Sequence, residues 1–344
     1  YRPRYISNAG PRATPAIAAG RVFVHGVEGM LHCLELTTGR VLWKRDLTRE
    51  FDVPTGFFGI VPSPLVDGER LILVLGASKG PTVAAFHTET GRLLWGIGEE
   101  WLADCSSPVF GEVRGLRKLF VLTGGESRPP GGGLMVIDPA SGVLDFTYPF
   151  RSKTVESVNG ATPVVAGNRV FLTAAYNTGS AALELGEDGG WRELWTARHI
   201  GIEFATPLHV EGSLYVVDGL HDRAGAIVCL DPATGKELAR TDLDWPEVVT
   251  YQGREQAIQA SIGSGSMIHA DGRFLCLGDN GHLLWLSCSP AGTAILARAK
   301  LFGANETWTP LVVSHGLLYV CQNKPERFGD RPPRLLCYDL RASD

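Results

Sequence analysis

The chain restarts one phrase at steps of 45 to 57 residues. "TTGRVLW" at 37–43 returns as "TETGRLLW" at 88–95. The glycine of that phrase recurs at Gly39, Gly91, Gly142, Gly190, Gly235 and Gly292. A second landmark is a small or polar residue and proline followed by apolar residues. It falls at "ATPAI" (13–17), "PSPLV" (62–66), "SSPVF" (106–110), "ATPVV" (161–165), "ATPLH" (205–209) and "WTPLV" (308–312). The step from Pro207 to Pro310 is two repeats long. Its middle copy reads "GSMIHADGRFLCL" (265–277), with Met267 in the proline's place. The chain therefore holds seven copies.

Each copy has the same internal order. An apolar segment follows the proline, then a glycine turn, then a strongly apolar segment such as "RLILVLG" (70–76). A third segment such as "VAAFHT" (83–88) leads to the Thr-Gly turn and a fourth, "RVLWKRD" (40–46). These are four short strands rich in aromatic and β-branched residues, and no segment sustains a 3.6-residue apolar period. The 42 glycines and 21 prolines are spread along the chain, as many tight turns require. Four strands alone cannot bury both faces of their sheet; stacking the units radially can. The expectation is an all-β fold, a β-propeller of four-stranded antiparallel blades. The blades are placed at 11–47, 61–97, 106–148, 160–197, 204–242, 264–298 and 307–344, within a single domain spanning 1–344. Two packed sandwiches are the alternative, which the regular period disfavours.

The repeat carries a finer pattern. Cys33, Glu35, Thr38, Gly39 and Trp43 read small–x–acidic–x–x–Thr–Gly–x–x–x–Trp. Ala85, Thr90, Gly91 and Trp95 repeat it, with His87 in the acidic slot. Val136, Asp138, Ser141, Gly142 and Phe146 carry Phe for Trp. Cys229, Asp231, Thr234 and Gly235 end on Ala239, and Ala182, Glu184, Gly190 and Trp195 fit with one inserted residue. Cys337 and Asp339 start a last copy. This resembles the tryptophan-docking motif of the PQQ-like (pyrroloquinoline-quinone enzyme-like) β-propeller repeat family, over nearly the whole chain. The resemblance implies the fold more strongly than any chemistry. The family includes eight-bladed quinoprotein dehydrogenases and non-enzymatic propellers, among them a lipoprotein assisting outer-membrane protein assembly. It implies a periplasmic or otherwise extracytoplasmic location. The last copy stops at "LRASD" before its fourth strand. An open propeller would leave two sheet edges exposed, so the expectation is an excerpt of an eight-bladed parent, with a weakly closed seven-bladed ring as the alternative.

Several function classes find no support. Net charge is −5 with no long basic run, so no nucleic-acid surface is indicated. No stretch approaches the length of an apolar membrane span. The seven cysteines include no Cys-x-x-Cys pair and no neighbouring pair, so zinc is not indicated, nor is the adjacent-cysteine feature of many family dehydrogenases. Cys33, Cys229 and Cys337 share one repeat slot and are expected to be small buried residues; Cys105 is the single candidate for reactivity. His209, His269 and His315 fall at or near the first turn of their copies. "GGESRPPGGG" (124–133) lacks the Lys-Ser/Thr ending of a phosphate loop.

The long connections are "TREFDVPTGFFGIVP" (48–62), "ESRPPGGG" (126–133), 151–160, 218–225, 244–265 and 322–333. In this connectivity they fall on one face, and long variable loops on a rigid scaffold are where binding concentrates. Residues just before each small-residue–proline step should ring the mouth of a central channel. The candidate ligand-binding residues are Asn8, Arg12, Asp104, Asn159, Glu203, Glu306 and Trp308, with His221 from the 218–225 loop. Ser63, Ser107, Thr162, Thr206 and Thr309 are small donors beside them. His221 with Asp218 and Asp222 could hold a metal, but a solvated loop is the favoured reading and no metal site is assigned. The expected role is a non-catalytic binding or scaffolding propeller, presenting its long-loop face to a protein partner or small polar ligand, without cofactor. The alternative implied by the resemblance is a PQQ-dependent (quinoprotein) dehydrogenase or a degenerate relative. There PQQ and calcium would sit among Asp104, Asn159, Glu203 and Glu306, with Trp308 stacked on the quinone.

Overall fold

The computed structural model describes residues 10–219, 224–251, 253–327 and 331–341. The seven repeats fold as the seven antiparallel sheets of a β-propeller, each a simple meander. Blades one to six have four strands each, spanning 16–46, 65–97, 109–149, 164–197, 208–242 and 266–300. Blade seven has three, Val312–Ser314, Leu317–Gln322 and Arg334–Asp339. The chain separates into two compact units, Tyr1–Glu203 with blades one to four and Phe204–Asp344 with blades five to seven.

The unbroken apolar runs follow from burial on both faces. In blade two, Leu71 and Leu73 pack with Phe23, Leu31 and Cys33 of blade one. Their neighbours Ile72 and Val74 point the other way, onto Leu119, Val121 and Met135 of blade three. Phe120, Leu122 and Val136 of blade three then meet Val170, Leu172 and Leu183 of blade four. In the second unit, Tyr215, Ile227 and Cys229 of blade five face Phe274, Cys276 and Leu286 of blade six. On its other side, blade six packs Leu275 and Leu277 against Leu318 and Val320 of blade seven.

The opening phrase joins neighbouring blades. Trp43 lies against Gly91 of blade two, where an added Cβ would sit 2.9 Å from its Cε3, and its Nε1 donates to the Thr88 carbonyl at 3.0 Å. Trp95 lies on Gly142 of blade three in the same way, at 2.6 Å. Phe146 stacks on Trp191 of blade four, with centroids 5.7 Å apart and planes at 20°. In blade four the left-handed glycine is Gly189 (φ 79°) rather than Gly190, because the inserted residue lengthens the turn. Trp195 nonetheless pairs with Ala182 as Trp43 pairs with Cys33.

Two segments expected as loops are regular. Leu47–Phe51 is a short helix capped by Asp46, whose side chain accepts from the Arg49 amide at 3.0 Å. The stretch 244–265 is mostly a β-hairpin, Asp244–Tyr251 paired with Arg254–Ser261. Cys33 and Cys229 are buried as expected, but Cys337 is exposed. Its strand has no outer neighbour among the described residues.

His25, at the end of the second strand of blade one, is 2% exposed. Burial lowers its pKa from 6.5 to about 4, and neither ring nitrogen finds a hydrogen-bond partner. Between those values the unfolded chain binds the proton and the folded one does not. Stability from this residue is complete above about pH 6.5 and falls by about 3 kcal/mol as pH drops to about 4. Urea unfolding at a series of pH values should show that slope in the wild type and its loss in His25→Leu.

Candidate binding surface

In the first unit, Asp104 and Asn159 meet. The Asp104 carboxylate accepts from the amides of Cys105 (2.9 Å), Asn159 (2.9 Å) and Gly125 (3.3 Å), and the Arg151 guanidinium lies beside it. Burial raises its pKa, against the pull of those donors and of Arg151. The Asn159 side chain donates to the carbonyls of Thr123 (2.8 Å) and Phe150 (3.1 Å). Arg151 reaches the carbonyls of Gly125, Val155 and Ser157 and the Ser157 hydroxyl. Together these groups tie the 151–160 connection to the start of blade three. Glu203 does not join them; it accepts from the Tyr176 hydroxyl at 2.7 Å. The Tyr176 pKa is driven up by burial and then by Glu203. Arg12 donates from Nε to the Phe58 carbonyl at 3.4 Å. Cys105 is part-exposed, but burial first, and Asp104 next, push its thiol well above its ordinary value. A protonated thiol is a poor nucleophile.

The small hydroxyls before the prolines connect blades. The Ser63 hydroxyl accepts from the Thr14 amide at 2.9 Å, and the Ser107 hydroxyl from the Ser63 amide at 3.0 Å. In the second unit Thr309 donates to Asn323 at 3.1 Å. Glu306 there pairs with Lys324, and Trp308 stacks on Phe204 at 5.2 Å and 23°. Asn8 and His221 lie outside the described residues.

These surroundings do not suit a calcium–quinone pair. A cation at Asp104 would face the Arg151 guanidinium, and all three amides already point at that carboxylate. Glu306 is neutralised by Lys324, and one face of Trp308 is covered by Phe204. Among the described residues no group of three or more His, Cys, Asp and Glu could hold a metal ion. No helix there is long and apolar enough to cross a membrane.

The hairpin was hidden in the sequence by its length and polarity. Its root is core: Trp245 and Ala260, a cross-strand pair, pack with Ile227, Leu284 and Leu286. A charged clamp fixes it to blade six. Glu247 pairs with His282 at 2.6 Å and with Lys300, while Arg298 lies over Trp245 at 4.4 Å. Burial alone would raise the Glu247 carboxyl, but Lys300 and His282 hold it below its ordinary value. Beyond the clamp the hairpin is open: six residues of Arg254–Ser261, from 254 to 259, are exposed, and Val248 is 63% exposed. Inward Trp245, Glu247 and Val249 alternate with outward Pro246, Val248 and Thr250 ahead of "QGR". That period-2 signal identifies a hairpin.

Residues 6–241 match the PQQ_2 family, described as outer membrane protein assembly factor BamB. Outer membrane protein assembly factor BamB of Salmonella typhimurium is 33% identical over 82 residues. That match spans 24% of this chain and 17% of that protein. The crystal structure of BamB from Moraxella catarrhalis superposes with a TM-score of 0.62 at 14% identity, covering 98% of this chain and 87% of that one. A europium-containing methanol dehydrogenase reaches 0.60 at 11% identity, covering 90% and 72%. At those identities the two structures share the fold and nothing more specific. With well over half of its length matched, the chain belongs to the PQQ_2 family of PQQ-like propellers described by BamB.

Proposed function

We propose that this chain is a non-catalytic binding propeller that works outside the cytoplasm and engages a protein partner through the hairpin at 244–261. The observation that carries this reading is the hairpin itself. Its root is anchored in the core by Trp245 and Ala260, and its outer strand stands exposed from 254 to 259. A rigid base under an exposed strand presents contact area at little entropic cost on binding. The matched relative is named an outer membrane protein assembly factor, so the proposed context is assembly of outer-membrane proteins. A small polar ligand is a second proposed occupant, in the first unit beside Tyr176 and Glu203, with Arg12, Asp104 and Asn159 as candidate neighbours.

The test keeps the root and removes the arm. Residues 250–255 are replaced by Asn-Gly, leaving Trp245, Glu247, the buried Val249 and Ala260 in place. The trimmed and intact proteins are then used to capture partners from bacterial envelope extracts. Loss of a specific partner with an unchanged circular dichroism spectrum is the expected result; capture by the trimmed protein at wild-type level would reject the reading. The dehydrogenase alternative predicts a rise in melting temperature with PQQ and calcium, and dye reduction with alcohols. Neither is expected.

A further inference from the structure

We propose that His282 is an acid-sensitive latch on the hairpin at 244–261. The neutral imidazole clamps the hairpin root to blade six, and protonation of the ring releases it. The exposed strand at 254–259 is then held in place at neutral pH and set loose on acidification. The consequence for binding rests on the hairpin being the partner surface, as proposed for this chain.

His282 is the first residue of His282–Ser289, the third strand of blade six, and is 5% exposed. Its Nε2 lies 2.6 Å from Oε2 of Glu247, on the first strand of the hairpin. An ionised carboxylate only accepts, so the hydrogen of the neutral ring sits on Nε2 and the lone pair on Nδ1. That Nδ1 is buried and meets no hydrogen-bond partner among the described residues. Trp245 of the hairpin packs edge-to-face on the ring, with centroids 5.0 Å apart and planes at 76°. The latch thus joins the two inward side chains of the hairpin root to one imidazole.

The charges around the ring are unevenly matched. The fourth strand of blade six brings Lys300, the cross-strand neighbour of His282, and Arg298, which lies over Trp245 at 4.4 Å. Lys300 pairs with the other oxygen of Glu247. The second hairpin strand sets uncharged Ile258 opposite Glu247, and the second strand of blade six ends on Leu277. The turn between carries Asp279, whose carboxylate accepts from the Ser264 amide at 3.1 Å and the Asn280 side chain at 2.6 Å. Two cations therefore already share the Glu247 carboxylate. A proton on Nδ1 adds a third positive charge and a buried N–H without an acceptor, which is costly. Glu247 pulls the other way, because it attracts an imidazolium more strongly than an imidazole. Burial first, then Lys300 and Arg298, outweigh that pull, and the His282 pKa lies below 6.5. In the opened hairpin the solvated ring regains its ordinary pKa. Closure is therefore fully favoured above about pH 6.5 and weakens as pH falls from there through the lower, closed-state pKa.

The test is peptide-resolved hydrogen exchange on the whole chain at about pH 7.5 and about pH 5.5, corrected for the intrinsic pH dependence of exchange. Protection of the hairpin amides is expected to fall about tenfold at the lower pH, while that of the blade-four strand Gly179–Leu185 stays unchanged. His282→Gln keeps an N–H donor toward Glu247 and has nothing to titrate, so its hairpin should be equally protected at both pH values. Should that variant not fold, the ring C–H resonances of His282 in the wild type report its titration directly. They should give a pKa below 6.5 and shift over the range in which the hairpin loosens. Unchanged or increased protection of the wild-type hairpin at the lower pH would overturn the proposal. The same loss in His282→Gln would overturn it too, since another group would then be the sensor. No partner enters this readout, so the latch and the hairpin reading fail separately. Partner capture by the trimmed protein rejects only the role of the hairpin, and a pH-independent hairpin rejects only the latch.

Discussion

Asp104→Ala is expected to lower the unfolding free energy by about 3 kcal/mol, the low end for removing one partner of a buried charged network. The substitution strands three backbone amides, those of Cys105, Gly125 and Asn159, and leaves the part-buried Arg151 without its neighbouring carboxylate. Asp104→Asn should behave differently. Burial already raises the Asp104 pKa, so the site disfavours the charge while using the oxygens. An amide removes the desolvation cost of the charge and keeps one oxygen for the Asn159 and Gly125 amides, but turns its NH2 toward the Cys105 amide, so its expected penalty is intermediate, about 2 kcal/mol. Urea unfolding of the three proteins decides the matter. Equal losses for Ala and Asn would mean that charge, rather than hydrogen bonding, holds the 151–160 connection.

Gly142→Ala is expected to cost about 3 kcal/mol, from left-handed backbone strain plus displacement of a packed ring. Gly142 has φ 75°, and a Cβ there would lie 2.6 Å from Cδ2 of Trp95. Gly39 is the internal control. It occupies the same turn position at φ 70°, with nothing within 4 Å of an added Cβ. Gly39→Ala should therefore cost only the strain, about 1 kcal/mol. The difference between the two midpoints in urea measures the ring contact across the blade boundary. Matching losses would show that the Trp95 contact contributes nothing measurable.

Much of the architecture was legible because propeller blades are built from neighbours in sequence. Strand–turn–strand periodicity assigned four short strands to each copy, which blades one to six have; the structure set Trp43 against Gly91 and Trp95 against Gly142. The irregularities were less legible. The Leu47–Phe51 helix depends on a single cap, Asp46, and is too short to show a period. The hairpin escaped because its outer strand, "REQAIQAS", alternates without a buried face and reads as polar loop. Cys337 was expected to be buried by analogy with Cys33 and Cys229; the analogy omitted the fourth strand, which is what buries those two. The partners of the candidate residues were not legible at all. Arg151 and Asp104 are 47 positions apart, and Tyr176 and Glu203 are 27 apart.

The sequence by itself determined the repeat, the strand count and the family pattern, since each depends on local spacing and on apolar faces that must be covered. Only the tertiary structure decided which polar groups satisfy one another. It joined Asp104 to Asn159, paired Glu203 with Tyr176, and clamped Glu247 between His282 and Lys300. It also left the hairpin strand 254–259 and Leu335 exposed. Those outcomes depend on which distant segments come within hydrogen-bonding reach, and on which side chains their packing covers. Periodicity along the chain carries no information about either.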